Sequence, residues 1–173
     1  SEQGTNVIIL TGDSDLLQLV SPKIEVFMSG EQKRYDVQGV ADRLGGLEPK
    51  RQIDIKALSG DTSDNIPGVR GIGKITALKL IQQFESLENL YDHLDAVEPP
   101  RIQQLLRENR SSAEQAKQLV TIFTKAPIEF NLARAQFGQF DRNTLLEVLQ
   151  EFEFSSLVGR IPGPPQARLP VAA

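Results

Sequence analysis

Four aspartates carry the chemistry open to this sequence. Asp61 and Asp64 stand three apart in Leu58-Ser-Gly-Asp-Thr-Ser-Asp-Asn-Ile-Pro-Gly, and Asp13 and Asp15 stand two apart in Thr11-Gly-Asp-Ser-Asp. Carboxylate oxygens are hard donors that suit Mg²⁺ or Mn²⁺. Asp61 and Asp64 run directly into Pro67-Gly-Val-Arg-Gly-Ile-Gly-Lys74. Glycines there let backbone N–H groups approach a phosphate, and a following helix N-terminus adds a favourable field. Metal ligands beside a phosphate cradle point to chemistry on nucleic acid. Each feature also has a plainer reading. Asp13 and Asp15 could form an Asx turn and a helix cap. Asp64 could cap an ordinary polar loop, and the glycines could make a tight turn between packed helices.

The elements that must position these residues follow from patterning. Asn6–Leu10 is a short apolar run that reads as a buried strand ending at Thr11. There the spacing of two would put Asp13 and Asp15 on one face if the backbone stays extended. Leu16–Val20 reads as a helical turn. Lys23–Met28 alternates and reads as a half-buried strand, with Lys33–Tyr35 pairing to it across Ser29-Gly30. Asp36 is a cap for a helix over Val37–Leu44, stopped by Gly45-Gly46. Further helices are expected over Lys50–Ser59, Gly73–Phe84, Ser86–Leu94, Pro100–Asn109, Ser112–Phe123 and Asn143–Phe152. In the second of these, Ile75, Leu78, Ile81 and Phe84 recur at helical spacing. If Asp61 and Asp64 lie on a helical segment, they share a side. Ile72 reads as an apolar pin for the glycine hairpin, while Thr76 and Ala77 allow close helix packing. Arg70, Lys74 and Lys79 give the stretch a local positive balance. Leu145, Leu146, Leu149 and Phe152 read as the buried side of the last helix. Pro127–Leu132 reads as extended, and the stretch after Ile161 as a Pro-rich linker.

Composition sets bounds. The chain has 173 residues, a formal charge of −4 and no cysteine, so thiolate metal sites and disulfides are excluded. An isoelectric point near 5.1 runs against the basic excess of most nucleic-acid binders. Carboxylates gathered at a metal site lower it without repelling DNA once cations bind. His93, the one histidine, reads as a surface residue. No apolar run approaches the ~20 residues of a membrane span.

Taken in order, Thr11-Gly-Asp-Ser-Asp-Leu-Leu-Gln-Leu-Val, Ala57-Leu-Ser-Gly-Asp-Thr-Ser-Asp-Asn-Ile-Pro-Gly-Val-Arg-Gly-Ile-Gly and Thr76-Ala-Leu-Lys-Leu-Ile resemble the 5′-nuclease (5′-3′ exonuclease) family of bacterial DNA polymerase I, relatives of the flap endonucleases. The likeness runs from about Val7 to about Val158.

The resemblance implies a remnant of an α/β nuclease core over 1–48. It implies a mainly helical helix-three-turn-helix domain over 49–161 and a linker over 162–173. It implies phosphodiester hydrolysis at 5′ ends and flaps, with Asp13, Asp15, Asp61 and Asp64 as ligands of Mg²⁺ or Mn²⁺. It implies sequence-independent contacts to duplex DNA at Gly68, Val69, Arg70, Gly71, Ile72, Gly73, Lys74, Thr76 and Lys79, and a K⁺ ion held by hairpin carbonyls. The expected setting is a monomer in a bacterial cytoplasm, joined to a polymerase portion.

The chain departs from the family in two visible positions. Ser14 and Ile75 stand where the family commonly has lysine, and Lys74, one position earlier than Ile75, points elsewhere around its helix. The family's remaining carboxylates lie in a front half that this sequence does not contain, so the expectation is that the chain alone cleaves little or nothing. The rival reading is a non-catalytic helix-hairpin-helix DNA-binding module. A helical protein-interaction domain explains neither aspartate pair.

Overall fold

The computed structural model describes residues 4–136 and 140–161; the expected linker over 162–173 lies outside them. The chain opens on strands β1 (Val7–Thr11), β2 (Ile24–Met28) and β3 (Lys33–Tyr35). They lie in the order β1-β2-β3. β1 and β2 are parallel, with Val7 opposite Ile24 and Thr11 opposite Met28. A parallel pair needs a crossover, supplied here by a 3₁₀ turn over Ser14–Leu19. β2 and β3 are antiparallel, with Val26 opposite Tyr35. β1 is an edge strand. Its apolar run is not buried as expected: Ile8 and Leu10 are 56% and 72% exposed, while Ile9 packs inward.

Helices follow: α1 (Val37–Arg43), α2 (Arg51–Ser59), α3 (Lys74–Phe84), α4 (Leu87–Asp92), α5 (Pro100–Glu108) and α6 (Arg110–Val120). Their caps match the chemistry of their flanks. Asp36 accepts from the Gly39 N–H at 2.7 Å, and Ser86 from the Asn89 N–H at 3.1 Å; each such cap contributes ~1 kcal/mol. Pro100 supplies a preset φ at the start of α5.

α2 is the central helix, packed against α3 and α6. Ala57, Leu58, Ala77, Ile81 and Ala113 are fully enclosed. The alanines let the backbones approach closely, and Leu58 and Ile81 fill the seam. α2 also carries a buried charge, Asp54, which accepts from Lys117 Nζ of α6 at 2.6 Å and pairs with Arg51. Lys117 also meets Glu88 at the start of α4 at 2.7 Å. Burial works against the Lys117 charge, but hydrogen bonds to Asp54 and Glu88 outweigh it and hold the ammonium's pKa above its ordinary value. One cation thus ties α2, α4 and α6 together.

The first compact unit ends at Thr124 and the second begins at Lys125. The expected boundary at 48/49 lies inside the first, because the sheet and helices share one core cluster. In the second unit, α7 (Arg142–Glu151) and α8 (Ser155–Val158) are the helices. Pro127–Leu132 joins no strand ladder. Leu145, Leu146 and Leu149 are half-buried. Phe152, expected inside, is 59% exposed and stacks on Phe154 with ring centroids 6.1 Å apart. No helix among the described residues is long and apolar enough to cross a membrane.

Candidate metal centre and nucleic-acid interface

Asp13 and Asp15 part company because the backbone leaves the extended form at Ser14, where the 3₁₀ turn begins. Asp13 becomes its N-cap, and its carboxylate accepts from the Asp15 N–H at 2.8 Å. The Asp13 N–H is itself held by Thr11 Oγ1 at 2.9 Å. Asp13 stays exposed while Asp15 is buried. The shared face expected for them does not form.

Asp61 and Asp64 come from the loop after α2. Leu58, fully enclosed, fixes the end of that helix. Gly60 then turns the chain at φ 72°. Asp61 and Ile66 exchange backbone hydrogen bonds at 2.9 and 2.8 Å, closing a tight four-residue turn over 62–65 rather than a helix. Asn65 sits at φ 57°, a conformation asparagine tolerates.

This turn brings Asp61 and Asp64 to Asp15: carboxylate oxygens of the three lie within 4.8 Å of one another. Asp13 is outside that group. Lys56, one turn back on α2, places its ammonium against Asp15 Oδ1 and donates to Asp61 Oδ2 at 2.5 Å. Asp61 also accepts from the Ser63 N–H at 3.0 Å and its hydroxyl at 2.5 Å. The Lys56 bond, then those from Ser63, hold the Asp61 carboxyl down at about 2.

The donor set fits a hard divalent cation. Three carboxylates converge, and the buried Asp15 Oδ1 has no hydrogen-bond partner among the described residues. Among the described residues, the one cation touching that oxygen is Lys56, which makes an ion pair with it. Lys56 and Ser63 were not singled out from sequence. A basic residue one or two turns before Asp61 on a helix entering an acidic site was the available signal.

The hairpin is built on glycine contacts. Gly60 and Gly68 cross so closely that a Cβ on Gly68 would lie 2.1 Å from the Gly60 nitrogen. Both have positive φ. The adjacent Val69 N–H reaches the Leu58 carbonyl at 2.8 Å, and Gly68 O accepts from Ser112 Oγ of α6 at 2.5 Å. Val69 and Ile72 are the buried pins, at 2% and 3% exposure. Gly71 needs its φ of 89°. Gly73 is different: φ is −91°, and nothing lies within 4 Å of a built Cβ. Its freedom is room in front of the chain.

No acceptor is found among the described residues for the N–H groups of Gly71, Gly73, Lys74, Ile75 or Thr76. These groups face the start of α3, where a phosphate is favoured. Arg70, Lys74 and Lys79 are exposed and have no ion-pair partner among the described residues. Lys79 lies in a groove with Ile75 and Thr76; Lys74 lies in another, with Ser14 and Lys56. His93 is exposed, and its ring Nδ1 lies 3.0 Å from the Asn89 carbonyl.

Residues 47–143 match the family model of the 5′-3′ exonuclease, C-terminal SAM fold. The chain is 43% identical to DNA polymerase I of Chloroflexus aurantiacus over 96% of its own length. It is 35% identical to DNA polymerase I of Bacillus subtilis over 92%. It spans only 19% and 18% of those two relatives. Among solved structures it is similar to T5 5′-exonuclease with bound zinc, with a TM-score of 0.61 and 24% identity over 66% of this chain and 42% of that one. It is also similar to the catalytic core of Rad2 in complex with DNA substrate, with a TM-score of 0.53 and 20% identity over 90% of this chain and 57% of that one. At such identities the likeness speaks for the fold: a small sheet followed by a helical SAM-like region.

Proposed function

The chain belongs to the 5′-3′ exonuclease family, and from that premise we propose that it is the duplex-gripping part of a structure-specific 5′-nuclease. In this reading Asp15, Asp61 and Asp64 bind a divalent metal directly. Asp13 acts by capping the turn that aims Asp15 and by lending negative charge to the site. Mg²⁺ or Mn²⁺, when bound, supplies positive charge toward the scissile phosphate and acidifies a water. The chain's own residues do the rest. The hairpin N–H groups and the α3 N-terminus hold a backbone phosphate without reading bases. Arg70, Lys74, Thr76 and Lys79 steady the strand on either side. Gly68 and Gly71 make the bend possible, and Val69 and Ile72 pin it.

Lys56 neutralises Asp15 and Asp61 before metal arrives. With a divalent ion held by Asp15, Asp61 and Asp64, the Lys56 ammonium would be free to turn toward an incoming phosphate. K⁺ at the hairpin would share carbonyls already in part committed, since Gly68 O accepts from Ser112 and Val69 O from Ile72.

The substrate class we infer is duplex DNA carrying a 5′ flap or nick, cut in replication and repair. The parent chain would be a monomer in a bacterial cytoplasm that also carries a polymerase portion. The 173-residue chain itself would bind the duplex and supply part of the metal site, with little cleavage of its own.

The observation that carries this reading is the convergence of Asp15 with Asp61 and Asp64. They are separated by a strand pair and two helices in sequence, and a DNA-binding module alone needs no such meeting. In the longer parent protein, Asp61→Asn with Asp64→Asn should abolish flap cleavage while duplex binding persists. Unchanged cleavage would return the chain to the non-catalytic helix-hairpin-helix reading.

A further inference from the structure

The groove that holds Lys74 lies between the end of α1 and the α2–α3 pair, beside the carboxylate trio. It has a volume of about 240 Å³ and an apolar floor of Leu44, Ile55 and Leu78. Its polar rim includes Ser14, Ser59 and three cationic side chains, Arg43, Lys56 and Lys74. Two of the three charges are already spent. Arg43 bonds Glu31 at 2.8 Å and the Tyr35 hydroxyl at 3.0 Å, and Lys56 serves Asp15 and Asp61. Lys74 makes no ion pair or hydrogen bond among the described residues. The Ser14 hydroxyl likewise has no partner there, since only its carbonyl is used, by Gln52 at 2.7 Å. An uncommitted ammonium and an uncommitted hydroxyl thus share one groove next to a candidate catalytic site.

We propose that this groove is a second phosphate site for the strand being cut, with Lys74 as its anchoring cation and Ser14 as its hydrogen-bonding partner. The proposal rests on the nuclease reading above and adds where the phosphate next to the scissile one goes. The size supports a single group: the volume is below the roughly 300–1,000 Å³ of pockets that enclose a drug-sized ligand. A phosphate with its sugar fits there. The apolar floor suits the sugar, and the cationic rim suits the phosphate. Electrostatics assigns the anchor. The carboxylates repel an anion, and Lys56 already offsets them. The charge left over to attract one is Lys74, which lines this groove and not the one that holds Lys79.

The test uses the ¹⁵N-labelled 173-residue chain in Mg²⁺, titrated with 5′-phosphorylated dithymidylate and, separately, with its unphosphorylated form. The expected result is that the phosphorylated probe shifts the amides of Ser14, Ser59, Lys74 and Leu78 and binds more tightly. Lys74→Ala should weaken it roughly tenfold, the scale of one charge-assisted hydrogen bond. Ser14→Lys placed on Lys74→Ala should recover most of that loss, because position 14 opens on the same groove. Lys74 is exposed, so an unchanged melting temperature verifies that the variants fold. Shifts confined to residues 68–73, or equal affinity in Lys74→Ala, would overturn the proposal. The nuclease reading fails by a different sign: no Mg²⁺-dependent rise in melting temperature that Asp61→Asn with Asp64→Asn removes.

Discussion

At the residue scale, the candidate site is an anionic trio stabilised by one ammonium. Lys56 is mostly enclosed, with a side chain 15% exposed, and both partners are as buried. Removing one partner of a buried pair leaves uncompensated charge, at a cost of roughly 3–5 kcal/mol. Lys56→Met should therefore destabilise the metal-free chain by about 3 kcal/mol, with Mg²⁺ restoring most of it. The measurement is melting temperature against Mg²⁺ concentration, which should rise more steeply in the variant than in the parent chain. A parallel loss at every Mg²⁺ concentration would mean that the carboxylates do not take the ion.

The glycines separate in the same way. Gly68→Ala drives a Cβ to 2.1 Å from backbone and should cost more than ~3 kcal/mol. Gly73→Ala meets nothing and should hold stability within about 0.5 kcal/mol. It should still weaken duplex binding, because the added methyl stands where a phosphate approaches the α3 N–H groups. Chemical denaturation and a duplex-binding isotherm on both variants read the two effects apart.

At the element scale, α2 is the part that aims the site. Its C-terminal end carries Lys56, Leu58 and Gly60, and its flank carries Asp54 against Lys117. Lys117→Ala should cost roughly 3 kcal/mol, since it leaves the buried Asp54 carboxylate only its longer bond from Arg51 at 3.4 Å. The same substitution combined with Asp54→Ala should cost less than Lys117→Ala alone, which a double-mutant cycle checks.

Tyr91 on α4 gives the helical layer a pH signature. Burial pushes its hydroxyl up to about 12, and it donates to the Leu106 carbonyl at 3.3 Å. The folded state thus favours the neutral phenol. Its contribution is fully present below the unfolded value of 10 and is lost as pH rises from 10 through about 12. The loss is about 2–3 kcal/mol. Absorbance at 295 nm should detect that late ionisation, and Tyr91→Phe should flatten the fall in stability above pH 10.

Helix placement was legible in the sequence because Asp36 and Ser86 mark two helix starts and apolar spacing marks the helix over 73–84. The separation of Asp13 from Asp15 was not, since it hangs on the chain changing from strand to 3₁₀ at Ser14. Nor was the Gly60–Gly68 crossing, which joins positions eight apart that no local pattern links.

At the scale of the whole molecule, the 3₁₀ turn of a small mixed sheet delivers Asp15 and a helical layer delivers Asp61, Asp64 and the hairpin. The order of the motifs along the sequence is enough to mark the resemblance to the family. Their meeting in space required the core that packs α2 against α3 and α6. The sum charge of −4 misleads about DNA because part of the acid is gathered at one point, while Arg70, Lys74 and Lys79 are exposed. The nuclease reading depends on that point being a metal centre. It is tested most directly by titrating Mn²⁺ into the ¹⁵N-labelled chain and following paramagnetic broadening. The amides of Asp15, Asp61, Ser63 and Asp64 should vanish first, and Asp61→Asn with Asp64→Asn should abolish the effect. Broadening that ignores those substitutions, or that spreads evenly over exposed acids such as Glu147 and Glu151, would contradict it.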